Sequence, residues 1–227
     1  MASPNSVLEL FSNLREGPNE LAAISGATGT DEARLLSRAE ELCANALATL
    51  EGSTLLVPEG GRVYIASYLL RRGVSMQELS LALDWKEFEA LASRAFECLG
   101  YRTWKNFRLR RPRREIDVIG VNSGFAIALD CKHWQRVSPS VLRPLALKQL
   151  ERARALASSG LISGINEVLP ALLVLWPQHQ ISVEGVPVVH VDGLMDFILG
   201  ARGNKERFVT VKQVADADHH GSRQSHL

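Results

Sequence analysis

The chain has 227 residues, 46% of them hydrophobic and 22% charged, with a net charge of +1 at pH 7. Such a chain builds a sizeable globular core over one or two domains. No apolar run approaches the ~20 residues of a membrane span, and Met1-Ala2-Ser3-Pro4-Asn5 lacks the basic start and apolar run of a signal peptide, so neither is expected.

The first 72 residues read as three helices and a hairpin. Val7, Leu8, Leu10, Phe11 and Leu14 form a helical stripe over Ser6 to Arg15. A short second helix follows Gly17-Pro18, from Asn19 to Ile24. Thr30 caps a third, with Asp31 and Glu32 in its first turn, running to about Leu50. Ser53 to Val57 and Arg62 to Ile65 flank the turn Pro58-Glu59-Gly60-Gly61 and read as paired strands. This pattern resembles a winged helix, a module that binds DNA, binds protein or dimerises. Its balance over residues 1–80 is −4, which favours protein contact or packing, because phosphate binding needs clustered Lys and Arg. Residues 73–83 read as a connection, with helices at Ala66 to Arg72 and Ser75 to Leu83 joined through Gly73.

A second domain is expected over residues 84–212. Asp84 caps a helix reaching about Leu99 and stopping at Gly100. Its stripe is Trp85, Phe88, Ala92, Ala95, Phe96 and Leu99. Glu89 falls on that stripe and faces either the solvent edge or the sheet, whereas Glu87 and Glu97 fall off it. Strands follow at Tyr101 to Leu109, Glu115 to Val121 and Phe125 to Lys132, the last two separated by Asn122-Ser123-Gly124. A helix spans Ser140 to about Ala157 on Leu142, Leu145, Ala146, Gln149, Leu150, Ala153 and Leu156, with Pro144 in its first turn. Strands at Pro170 to Trp176 and Val186 to Val191 and a helix from Gly193 to Leu199 complete an αβββαββα order. The fold class is α/β, a mixed sheet flanked by helices. The polar tail, residues 213–227, is expected to be disordered, and His219 and His220 belong to it rather than to a metal site.

Asp117, Asp130 and Lys132 lie inside two strands otherwise rich in Val, Ile, Leu and Ala. Side chains alternate along a strand, so Asp130 and Lys132 share one face and Cys131 takes the other. Buried charges there are costly unless they pair or bind a metal. The pair could be a simple salt bridge. It also matches what phosphodiester hydrolysis needs: carboxylate oxygens for a hard cation and an ammonium beside the attacking water. Cys43, Cys98 and Cys131 are far apart with no metal-ligand spacing, which fits a reduced, cytoplasmic protein and disfavours zinc.

Phe88-Glu89, Gly100-Tyr101-Arg102, Glu115-Ile116-Asp117, Leu129-Asp130-Cys131-Lys132 and the closing Gly185 to Leu194 resemble, in order and spacing, the PD-(D/E)xK restriction-endonuclease-like superfamily, in its Mrr-type and Holliday-junction-resolvase-type branches. The resemblance covers roughly residues 84–200. Ile116 stands where the family name has Pro, and Asp130 replaces the Glu or Gln common in these branches. The resemblance implies that Asp117 and Asp130 coordinate Mg²⁺ or Mn²⁺ with the Cys131 carbonyl, that Glu89 joins directly or through water, and that Lys132 positions or deprotonates the attacking water. His133 follows on the opposite face and is expected to pack.

The balance over residues 81–156 is +7, and 7 of the 13 residues from Arg102 to Arg114 are basic: Arg102, Lys105, Arg108, Arg110, Arg111, Arg113 and Arg114. Tyr101, Trp104 and Phe107 interleave with them, Trp104 and Phe107 as core. Arginine forks suit phosphate oxygens, and Lys148, Arg152 and Arg154 could extend the track. Nothing reads bases specifically, so backbone- or structure-directed DNA binding is expected. The reading is a metal-dependent DNA endonuclease of repair, recombination or defence, with a homodimer as default. The alternatives are a junction or flap resolvase, and a non-catalytic DNA-binding or regulatory protein on the same fold.

Overall fold

The structure is a computed structural model that describes residues 4–111, 113–133, 139–175 and 181–213. Trp176 and the tail with His219 and His220 lie outside the described residues. The protein is mixed α/β. An N-terminal part contains α1 (Pro4–Phe11), β1 (Gly17–Glu20), α2 (Leu21–Thr28), α3 (Glu32–Ala44), β2 (Thr49–Glu51), β3 (Thr54–Val57), α4 (Gly61–Arg71) and α5 (Met76–Ala82). Then come α6 (Trp85–Cys98), β4 (Arg102–Arg110), β5 (Arg113–Asn122), β6 (Phe125–Lys132), α7 (Pro139–Ser159), β7 (Glu167–Val174), β8 (Ser182–Val183), β9 (Val186–His190), α8 (Leu194–Gly200) and β10 (Val211–Lys212).

Several N-terminal elements differ from the sequence reading. The expected helix at Asn19 is preceded by a strand, because the buried Asn19 amide satisfies the carbonyls of Arg15, Gly17 and Leu55 and holds Gly17–Glu20 against β3. Asp31, not Thr30, caps α3, accepting from the Arg34 N–H. The expected hairpin is wrong at its second arm. Thr54–Val57 pairs with Thr49–Glu51 and Gly17–Glu20, and Arg62 to Ile65 is helical. Tertiary contact overrides the β preference of Val63, Tyr64 and Ile65. Arg62 is buried in the first turn of α4 and donates to the Phe11, Leu14 and Ala82 carbonyls and, at 2.6 Å, to the Glu87 carboxylate. Pro144 sits in the second turn of α7 rather than the first.

The large sheet has the order β4-β5-β6-β7-β9-β8, with β10 beside β7. The β4/β5 and β5/β6 pairs are antiparallel, and β6/β7 and β7/β9 are parallel. Asp84 and Glu87 form a capping box that starts α6. Phe88, Leu91, Ala92, Ala95 and Phe96 of α6 pack with Val118, Ile127, Leu129, Leu169 and Leu173 in one cluster, which α8 joins through Leu194 and Ile198. Trp85, expected on that stripe, is 54% exposed. On the other face α7 packs Ala153, Leu156 and Ala157 against Ile116, Ile119, Ala126 and Ala128, and Leu142, Ala146 and Leu150 against Leu172 and Val174. Trp104 and Phe107 pack at the edge of the α7-side cluster, as expected. The α6-side cluster is continuous with Leu10, Phe11, Leu21, Leu55, Ile65 and Leu69 of the N-terminal part. Among the described residues no helix is long and apolar enough to cross a membrane.

Candidate functional site

The ladder between β5 and β6 runs from Asn122↔Phe125 to Val118↔Leu129 and stops. The next two residues are Asp117 and Asp130. The Cys131 N–H, released from the ladder, donates to Asp117 Oδ2 at 2.7 Å. Pleat alternation also breaks here: Ile116 and Ile119 pack in the α7-side cluster, while Val118 packs on the α6 side. On the other flank of β5, Lys105↔Val118 and Phe107↔Ile116 pair, but Asn106, with φ +50, leaves Asp117 without a ladder partner. The sheet therefore opens at Asp117, and charged side chains reach the opening from both faces.

Glu89 comes from α6. It is buried, and among the described residues its Oε2 has no hydrogen-bond partner. Burial, with the Asp117 charge adding to it, pushes its carboxyl up to about 7, although the Asn106 amide partly offsets the rise. Burial and the neighbouring Asp130 charge push Asp117 up to about 6 against the Cys131 N–H, Lys132 and Arg152. Asp130 lies on the α7 face, 1% exposed. Lys132 Nζ is 2.7 Å from its Oδ2, and Arg152 from α7 pairs with its Oδ1. The structure thus brings Glu89, Asp117, Asp130 and Lys132 to one opening.

It also moves Arg152 from the expected DNA track into this cluster. Sequence reasoning missed that, together with Asn106 and the polar role of Gln149. Gln149 is fully buried; its Nε2 donates to the Ala128 carbonyl at 2.8 Å and its Oε1 accepts from Arg152 at 3.1 Å. A buried glutamine on an otherwise apolar stripe, three residues before an arginine, was the available signal. His133 packs as expected: its ring lies 5.3 Å from Phe88, and its Nε2 is 2.6 Å from the Ser80 carbonyl oxygen of α5.

Hard oxygens short of surrounding positive charge suit a divalent cation that keeps several waters. Glu89, with its orphaned oxygen, and Asp117, with its raised pKa, fit such an ion. Asp130 has both oxygens engaged by cations. Among the described residues no three or more His, Cys, Asp or Glu side chains gather as a ready-made metal cage. Glu89 and Asp117 are the two carboxylates that could hold a sparsely liganded hard cation; the set is not a closed structural metal site.

The arginines of the β4–β5 hairpin concentrate at its tip. Arg108, Arg110, Arg113 and Arg114 line a concavity of about 670 Å³, and Arg111, Arg114 and Arg154 line a second of about 370 Å³. The cluster is partly neutralised: Glu115 pairs with Arg108 at 3.1 Å and Glu151 with Arg114 at 2.7 Å. Arg102 and Lys105 are not at the tip. Arg102 stacks on Trp104 near the start of β4, and Lys105 faces a hollow shared with Tyr64 and Glu97. Lys148 is exposed on α7.

No family model matches the chain, and no curated protein matches it. Among solved structures, protein VC1899 from Vibrio cholerae is similar at 14% sequence identity and a TM-score of 0.39, over 90% of this chain and 51% of that one, so the chain spans about half of that protein's length.

Proposed function

We propose that the protein is a metal-dependent DNA endonuclease of restriction-endonuclease-like type. The carrying observation is the opening between β5 and β6, where buried Glu89, with an oxygen unpartnered among the described residues, and Asp117, held by the Cys131 N–H, come together while Lys132 reaches Asp130 on the next strand. On this reading Asp117 and Glu89 hold Mg²⁺ or Mn²⁺, with Asp130 and the Cys131 carbonyl as further oxygens. The ion would supply Lewis acidity and a more acidic water. The chain's own residues do the rest. Lys132 orients the attacking water and stabilises charge gathering on the phosphate. The hairpin arginines hold the DNA backbone without reading bases. The N-terminal helices and three-stranded sheet serve as a winged-helix-like module for partner or substrate contacts, and a homodimer would offer one site per strand.

One observation favours a second reading. Asp130 already has Arg152 and Lys132 as partners, as in a structural ion-pair network, which suits a DNA-binding protein without catalysis.

Incubation with plasmid, single-stranded, flap and four-way-junction DNA, with and without Mg²⁺, separates the readings. Cleavage of plasmid requiring Mg²⁺ is expected. Preference for flaps or junctions would make it a resolvase. Binding without cleavage of any substrate, in either Mg²⁺ or Mn²⁺, would leave the non-catalytic reading.

A further inference from the structure

We infer that Arg152 is a residue of the catalytic centre, parked on Asp130 and released to a substrate phosphate when a divalent cation engages that carboxylate. This rests on the nuclease reading and adds an ordering rule to it: metal and Arg152 compete, whereas metal and phosphate help one another.

The charges around the opening are unevenly shared. Glu89, Asp117 and Asp130, with Glu115 also acting on Glu89, face the cations Lys132 and Arg152, yet both of these cations contact the same carboxylate. Among the described residues Glu89 Oε2 has no hydrogen-bond partner. A cation entering this cluster meets a carboxylate with Lys132 on Oδ2 and Arg152 on Oδ1, so a metal that takes Oδ1 displaces Arg152. A guanidinium with a 12% exposed side chain is poorly hydrated and must find another anion. The scissile phosphate is the anion that arrives with the metal.

The way Arg152 is mounted supports this role over simple ion pairing. Gln149 and Arg152 are three apart on α7 and so lie on one helix face. Gln149 is tied to β6 through the Ala128 carbonyl, two residues before Asp130, and its amide oxygen receives Arg152 Nη1. The same Nη1 contacts Asp130. Among the described residues the Nε–Nη2 edge of the guanidinium has no hydrogen-bond partner, and that edge is the fork that takes two oxygens of a phosphate. Gln149 therefore acts as a positioning residue. It keeps the guanidinium at the opening while Asp130 changes partner.

The test is Mn²⁺ binding to the full chain by titration calorimetry, alone and in the presence of a duplex oligonucleotide, with cleavage measured alongside. Arg152→Met is expected to bind Mn²⁺ roughly tenfold more tightly than wild type and to cleave roughly a hundredfold more slowly, the first figure lying within the usual range of coupled sites. The duplex is expected to tighten Mn²⁺ binding in the wild type and not in Arg152→Met. Arg152→Lys keeps the charge but not the fork; it should retain near wild-type Mn²⁺ affinity with reduced cleavage, which covers the case that the methionine variant misfolds. Equal Mn²⁺ affinity in wild type and Arg152→Met, with cleavage retained, overturns this inference and leaves the nuclease reading standing. No Mn²⁺ binding by the wild type overturns both.

Discussion

The Cys131 N–H donates to the Asp117 carboxylate at 2.7 Å, so a side chain takes over where the backbone ladder ends. The two strands are locked together by one acid at the point where they part. Asp117 is thus both a structural pin and the acid whose charge most raises the Glu89 carboxyl.

Asp130 and Asp117 should respond oppositely to neutralisation. Like carboxylates repel, but Asp130 neutralises two cations. Asp130→Asn should cost about 3 kcal/mol in chemical denaturation, because it strands buried charge. Asp117→Asn keeps a hydrogen-bond acceptor for Cys131 and should hold or raise stability of the metal-free protein. Asp130→Ala and Lys132→Ala should each abolish cleavage, checked against refolding of the purified variants.

Glu89 makes stability depend on pH. Its folded value, about 7, lies above the ordinary 4.5, so the folded state holds the proton more tightly. That stabilising contribution is complete below pH 4.5 and disappears as pH rises through 7. Glu89→Gln should therefore match wild type in acid and exceed it at pH 8 by about 1–2 kcal/mol, a figure reduced from the full conversion because charges in protein interiors are screened more than a dry medium would allow. Thermal melts across pH without metal report this. The same variant should need more Mg²⁺ for any residual cleavage.

The hairpin tip should carry DNA affinity. Replacing Arg110, Arg111, Arg113 and Arg114 with Ser is expected to weaken binding equally across sequences. It should also flatten the plot of log affinity against log salt by roughly 0.9 for each phosphate that is no longer neutralised. Fluorescence anisotropy at several salt concentrations measures both. An unchanged slope would place the DNA elsewhere, with the N-terminal part as the next surface to test.

Gly120 controls how closely α6 approaches the sheet. A methyl group there would collide with the Phe96 ring. Gly120→Ala should cost about 2 kcal/mol by overpacking and lower the melting temperature by roughly 5 °C. It should impair cleavage as well, since Phe96 and Glu89 ride on the same helix.

The strands bearing Asp117, Asp130 and Lys132 were legible because a period of two, broken by charge inside an apolar run, is a local signal. Glu89 was legible because a period of 3.6 put it among Phe88, Ala92 and Phe96. What was not legible depends on distant partners. Arg62 looks like a strand residue until four acceptors from Phe11, Leu14, Ala82 and Glu87 surround it. Arg152 reads as one more surface cation until α7 sets it against Asp130, 22 residues away. The left-handed conformation of Asn106 follows from no neighbour in the chain, although Asn tolerates it better than most residues.

The apolar cluster that joins Phe11 and Leu69 to Phe88, Val118 and Leu173, with Arg62 stitched through it, means the N-terminal part and the sheet share their interior. Heating should then produce one cooperative transition rather than two. A fragment beginning at residue 73 would be born with an uncovered α6 and would aggregate, so the two halves can be studied only as one molecule.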